Sequence, residues 1–136
     1  MLPGAIMPSA NRVFGAVRTL CLSFPEASEV SAWGHPVFRV RRKAFVAFEQ
    51  VRERPSIAFR LDPLEVDRLL ERTSFFATPY GRGLWVSVWM DRAVNETQLE
   101  KLARQAYRLI AGKRLSALLD ASAPPAGPRR RSAVST

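Results

Sequence analysis

Apolar positions over residues 9–22 fall at Val13, Ala16, Val17, Leu20 and Cys21. That i, i+3, i+4, i+7, i+8 spacing is one face of an amphipathic helix, with Ser9 as the predicted N-cap and Pro25 beyond its end. From residue 29 to 61 the period drops to two. "EVSAW" predicts a short strand, and Gly34-His35-Pro36 punctuates it as a turn. "VFRV" predicts a second strand, with Arg41-Arg42-Lys43 as a polar tip before "AFVAFE". "SIAFRL" follows, with Ile57, Phe59 and Leu61 on one side and Ala58 and Arg60 on the other. Strands joined by links this short make an antiparallel meander.

Beyond the meander the helical grammar returns. In "DPLEVDRLLER", Asp62 is the predicted N-cap, Pro63 takes the first helical position, and Glu65 completes a capping box. Val66, Leu69 and Leu70 are expected on its inner face. "FFATPYGRGLWVSVWM" predicts a strand, a Gly-rich turn and a strand. In the last strand Trp85, Ser87 and Trp89 share one face, and Val86, Val88 and Met90 share the other. Core packing is the favoured reading of the two tryptophans, over an exposed base-stacking face. A final helix is predicted over 96–111, with Leu99, Leu102, Ala103, Ala106, Leu109 and Ile110 as its apolar stripe. Lys101, Arg104 and Arg108 share another of its faces, and Lys113 and Arg114 lie just past its end. After Asp120 the chain turns to Pro, small residues and three Arg, which predicts a disordered basic tail. The expected organisation is an N-terminal extension (1–8), one α+β domain (9–120) and the tail (121–136). The domain is expected to be a single compact unit, an antiparallel sheet packed with N-terminal, middle and C-terminal helices.

Length and composition agree with one domain. A chain of 136 residues, 47% hydrophobic, holds enough apolar material for a core without disulfides or metal. One cysteine excludes an internal disulfide framework and Cys-rich zinc sites. The N-terminus lacks the basic-then-apolar pattern of a signal peptide, and no run nears the ~20 apolar residues of a membrane span. A soluble cytoplasmic protein, not bound to membrane and monomeric, is expected.

Charge changes the picture more. The chain carries 21 Lys and Arg against 12 Asp and Glu, a formal +9. A polyanionic partner is the natural inference. Eighteen of the basic residues are Arg, a skew that genome composition also produces, and without Arg129, Arg130 and Arg131 the balance over 1–120 falls to +6.

Catalytic motifs are scarce. Gly81-Arg82-Gly83 is a turn rather than a phosphate loop. One His and one Cys do not make a transition-metal site, and the carboxylates are scattered, so no cofactor and no metal is expected. Cys21 falls on an apolar helix face, where a buried structural thiol is expected rather than a nucleophile. His35 is the only histidine. Imidazole is suited to acid–base work near neutrality, but no second catalytic group lies near it in sequence. It is read as a turn residue bonded to the local backbone, in a protein that is not an enzyme.

The run Ser31-Ala32-Trp33-Gly34-His35-Pro36-Val37-Phe38-Arg39-Val40 resembles, with one extra Ala, the "SWGHPxFRV" signature of the bacterial YjbR-like, or MmcQ-like, family. "LSFPEASE" (22–29), "KAFVAF" (43–48), "LDPLEVDRLL" (61–70), "PYGRGLWVSV" (79–88) and "AYRLIAGKR" (106–114) resemble further family segments in the expected order. The resemblance spans about residues 9–119. Gly112 stands where that family pattern leads us to expect a proline. The resemblance implies an α+β "double-wing" domain in proteins labelled as DNA-binding, with no established catalytic residue to carry over.

Two functions follow as expectations. The first is nucleic-acid binding, mainly through phosphates, by Arg39, Arg41, Arg42 and Lys43 on a hairpin and by Lys101, Arg104 and Arg108 on the last helix. The second is a non-enzymatic module that binds a protein or small ligand in a pocket around Trp33, His35, Tyr80 and Trp85.

Overall fold

Short links and alternating apolar residues force β1 (Ser28–Ala32), β2 (His35–Val40), β3 (Lys43–Val51) and β4 (Arg54–Arg60) into successive antiparallel hairpins. The structure is a computed structural model and describes residues 8–122. α1 (Pro8–Ser23) precedes the meander, and α2 (Pro63–Leu70) follows it. β5 (Phe75–Ala77), β6 (Trp85–Trp89) and α3 (Glu96–Ser122) complete the chain. β6 returns to pair with β4 and leaves β5 at the edge, so the six-stranded sheet has the order β1-β2-β3-β4-β6-β5.

Helices α1 and α3 pack together and cover one face of the sheet. Phe14 of α1 meets Phe48 edge-on, with ring centroids 4.2 Å apart, and Tyr107 of α3 packs on Phe24 and Phe45. Tyr107 is fully buried, and its hydroxyl donates to the Pro25 carbonyl at 2.7 Å. That bond satisfies the one polar atom of the largest core side chain. Cys21 is buried in the same core, as expected, and burial pushes its thiol up to about 12.

The three turns of the β1–β4 meander are two-residue links in which both central residues have positive φ: Trp33-Gly34, Arg41-Arg42 and Arg52-Glu53. This is the hairpin geometry whose twist matches that of the strands. The first turn corrects an expectation. His35 and Pro36 are strand residues, and the turn is Trp33-Gly34. Lys43 likewise opens β3, and the second tip is Arg41-Arg42 alone.

Other details differ from the sequence reading. α1 runs Pro8–Ser23, so Ser9 lies within the helix rather than one position before it. Asp62 does cap α2, accepting from Leu64 N at 2.9 Å, but the Glu65 side chain is ion-paired with Arg68. Leu70, expected on the inner face of α2, is exposed; in α3 Leu109 is exposed whereas Tyr107 and Ala111 are buried, so its inner stripe is rotated from the one expected. Gly112, at φ 86, breaks α3 where the predicted helix ends. The chain then resumes as helix, because Leu115 and Leu119 supply a further apolar stripe that is buried. The extension 1–7 and the tail from 123 onward lie outside the described residues.

Candidate functional site

Strand alternation puts two populations on the two faces. Val46, Phe48, Ile57 and Phe59 face the helices. Ala47 alternates with them and pairs with Val37 and Ala58, while Ala58 pairs with Ser87. His35, Glu49, Trp85 and Trp89 share parity with that row and therefore face away from the helices.

On that second face lies a cavity of about 240 Å³. Its floor is low because Ala44 and Ala47 are small. Trp33 and His35 stand on one side, Tyr80 and Trp85 on the other. The four residues singled out in sequence thus meet around one concavity. Trp33 is 96% exposed and Tyr80 67% exposed. Gly81 permits the approach of the Tyr80 loop to the sheet, since a Cβ there would lie 2.7 Å from Trp85 Cβ. Trp85 lines this cavity instead of entering the core. Trp89 is separate: it stacks on Phe76, and the Arg54 guanidinium sits 3.8 Å above its ring. Ser87 between them is buried and shares a 2.7 Å hydrogen bond with Thr78.

Glu49 was not foreseen. The β2–β3 ladder ends at Val37↔Ala47, and continuing its register by two residues sets His35 against Glu49. Both line the main cavity and a neighbouring one of about 140 Å³. Glu49 Oε1 is out of contact with water and has no hydrogen-bond partner among the described residues. Burial raises the pKa of this carboxyl. The His35 side chain makes no hydrogen bond to a described residue either, which corrects the expectation that it would bond the local backbone. No group of acidic, His and Cys residues among those described is arranged to hold a metal ion.

The basic residues divide. Arg41, Arg42 and Lys43 are exposed, while Arg39 is half-buried and donates to the Arg42 carbonyl at 2.8 Å. Arg41 Nη1 donates to the Ala111 carbonyl at 3.3 Å. This bond sets the hairpin tip against the break in α3 at Gly112. Lys101 and Arg104 are exposed nearer the start of the same helix, roughly 15 Å and 10 Å from Ala111 along its axis. Arg108 is ion-paired with Asp120, and Arg114 with Glu26. The structure therefore does not gather the seven expected cations into one patch.

The fold and these sites define a single-domain α+β protein, with helices on one face of an antiparallel sheet and an aromatic cavity on the other. No helix among the described residues is long and apolar enough to cross a membrane. The YjbR family model matches residues 22–109, and the chain belongs to that family. Two crystal structures share its fold. A Deinococcus radiodurans protein with the DUF419 domain is 20% identical, with a TM-score of 0.63 over 74% of this chain and 79% of its own. A Pseudomonas syringae protein is 13% identical, with a TM-score of 0.59 over 76% of this chain and 99% of its own. Identities this low speak for the fold alone. Among curated proteins, none matches this chain.

Proposed function

We propose that this chain is a non-catalytic DNA-binding protein that contacts the phosphate backbone with the β2–β3 hairpin. The observation that carries the reading is the corner where the hairpin tip meets the α3 break. Arg41, Arg42 and Lys43 are exposed there, and none of the three is ion-paired with a carboxylate among the described residues; Lys113, likewise exposed and unpaired, follows the break by one residue in sequence. By contrast Arg12, Arg18, Arg54, Arg68, Arg108 and Arg114 each have an acidic partner, and the other exposed cations without one, such as Arg52, Arg82, Lys101 and Arg104, do not stand three in succession. Like charges held together repel one another, and a polyanion relieves that cost. Lys101 and Arg104 offer a second contact on the same helix. Arg108, already paired with Asp120, is demoted from the expected set.

A salt titration of duplex binding tests this reading. Each phosphate neutralised contributes a slope of about −0.9 in log affinity against log salt. Arg42→Glu with Lys43→Glu is the suitable variant, because Arg41 also holds the helix. It is expected to weaken binding to all duplex sequences alike and to flatten the slope by about two contacts, with the circular-dichroism spectrum unchanged. Absence of wild-type binding at ~50 mM salt, where electrostatic contacts are strong, overturns the proposal. A small-ligand role for the aromatic cavity then takes precedence.

A further inference from the structure

We infer that the cavity between Trp33 and Trp85 takes one unpaired nucleobase bearing an amino group, stacked on its aromatic walls and donating a hydrogen bond to Glu49. It rests on the DNA-binding reading only for the source of the base.

Trp33 motivates the inference first. It occupies the first central position of a hairpin turn at φ 50, with Gly34 at φ 80 behind it. The fold asks for Asn, Asp or Gly at that position, and a bulky side chain there is strained. Its ring is almost wholly in water, so it contributes nothing to the core. Tyr80 is the exposed partner across the cavity, and Trp85 forms the wall at sheet level. Two exposed rings and a third half-buried one, over a floor of alanines, suit a flat aromatic guest. Stacking of bases on such side chains is the general means of binding unpaired strands.

Glu49 supplies the second observation. A carboxylate oxygen removed from water without a donor is costly, and Glu49 lines the cavity, with His35 and Tyr80 as the other titratable groups on its wall. A ligand that brings an N–H satisfies it. Guanine, adenine and cytosine present amino groups on their pairing edges. Uracil and thymine present one N–H between two carbonyls, which a carboxylate repels. The cavity is below the range of drug-sized pockets, which suits a single ring system.

Charge complementarity favours a nucleotide over a peptide side chain or a neutral ring. Arg82 lies two residues beyond Tyr80, and Arg52 is at the hairpin tip on the same end of the sheet as Trp33. Both are exposed and without a carboxylate partner among the described residues. They are placed to meet phosphates on either side of a base held in the cavity.

Tryptophan fluorescence reads the site directly, because two of the three tryptophans line it and Trp89 is stacked elsewhere. The full chain is titrated with GMP, AMP, CMP and UMP, and with short single-stranded oligonucleotides that differ in one central base. Amino-bearing bases are expected to quench the signal with affinity about tenfold above that for uracil or thymine. Trp33→Phe should weaken the binding of every base. Glu49→Gln, whose amide both donates and accepts, should bring that ratio to about one while circular dichroism stays native. Comparable affinity for monophosphates and oligonucleotides identifies the free nucleotide as the source, and much tighter oligonucleotide binding identifies a strand. Quenching that is equal for all bases and indifferent to Glu49→Gln overturns the inference, as does no quenching by any nucleotide. Neither variant alters the basic tip at Arg41, Arg42 and Lys43. Salt-dependent duplex binding therefore survives failure here, and base discrimination survives failure of the duplex reading.

Discussion

Arg41 and Ala111 are tied by a 3.3 Å hydrogen bond from guanidinium to carbonyl, although seventy residues separate them. The carbonyl is one of those left unpaired where the helix breaks, and it lies at the negative end of the helix dipole. One arginine thus serves two purposes, locking a hairpin to a helix and presenting charge to solvent. Arg41→Ala is expected to lower stability by about 1 kcal/mol, the usual net value of one hydrogen bond. Urea unfolding checks this, with the midpoint falling and the slope unchanged. An unchanged midpoint would mean that the tie does not form in solution.

Gly112 makes the same junction possible. Its φ of 86 lies in the left-handed region, and a Cβ there would sit 3.3 Å from Arg41 Nη1. With ψ at −179° this is a conformation open essentially only to glycine, so Gly112→Ala should cost about 1–3 kcal/mol for the backbone alone. Gly112→Pro should cost more, since proline holds φ near −65°. The proline that the family pattern led us to expect here is incompatible with this backbone. Thermal unfolding of the two variants gives the order, and a proline variant as stable as wild type would contradict the junction.

Cys21 should be silent to thiol reagents in the folded protein. Reactivity needs thiolate, and burial has pushed this thiol up to about 12. Modification at neutral pH is expected to proceed only as fast as the protein unfolds, and to accelerate with added urea. Rapid stoichiometric labelling of the native protein would show that α1 opens locally.

The meander, the α2 cap and the break after Ala111 were legible in sequence because each rests on local rules: alternation, Asp62 before Pro63, and glycine at a helix end. The four aromatic-pocket residues were legible as a group because they flank turns. Glu49 was not, and the reason is one residue of register. The Arg41-Arg42 turn starts the ladder as Val40↔Lys43 and Arg39↔Ala44. Continued without a break, that ladder would set His35 opposite Phe48. A bulge between Phe38 and Arg39 adds Phe45 to the facing β3, so Phe45 and Val46 are both buried, and the ladder resumes as Phe38↔Val46. The shift brings Glu49 opposite His35. Packing of Phe45 against Phe24 and Tyr107 accompanies the bulge, a tertiary event that alternation cannot announce. The basic cluster was misjudged for a similar reason: the partners of Arg41 and Arg108 are remote or follow a helix break.

Arg42 tests whether the hairpin tip is shaped for stability or for contact. It has φ 67, in a conformation that a side chain disfavours. Arg42→Gly is therefore expected to stabilise the domain, by up to about 1 kcal/mol after the extra entropy of glycine in the unfolded chain is offset. The same change should weaken duplex binding by removing one phosphate contact. Glu53 has φ 65 in the neighbouring β3–β4 turn, and Glu53→Gly is the control. It should stabilise similarly without weakening binding. Equal loss of binding in both variants would mean that turn rigidity, not charge, matters.

Glu49 makes the unliganded protein less stable as pH rises. Burial lifts its carboxyl pKa in the folded state above the ordinary 4.5, so the folded protein holds a proton that the unfolded chain has already released. Stability falls with rising pH wherever the native state binds more protons. For Glu49 the loss begins near the unfolded value of 4.5 and continues until pH has passed the raised folded value. Above that point the full penalty of a buried charge remains; below 4.5 both states are protonated and the penalty is gone. Glu49→Gln removes the titration. The variant should therefore melt higher than wild type at pH 7, and the two curves should converge as pH drops to 4 and below. The acid limb that they share comes from groups such as Asp91, whose pKa is held low by its hydrogen bond to Arg54 and whose stabilisation is lost on protonation. Melting temperatures across pH 3–8 for both proteins supply the test. A wild type that is more stable than Glu49→Gln at pH 7, with the gap closing in acid, would mean that Glu49 is held by a favourable partner in the free protein. The cavity would then lack the unmet acceptor on which base recognition depends.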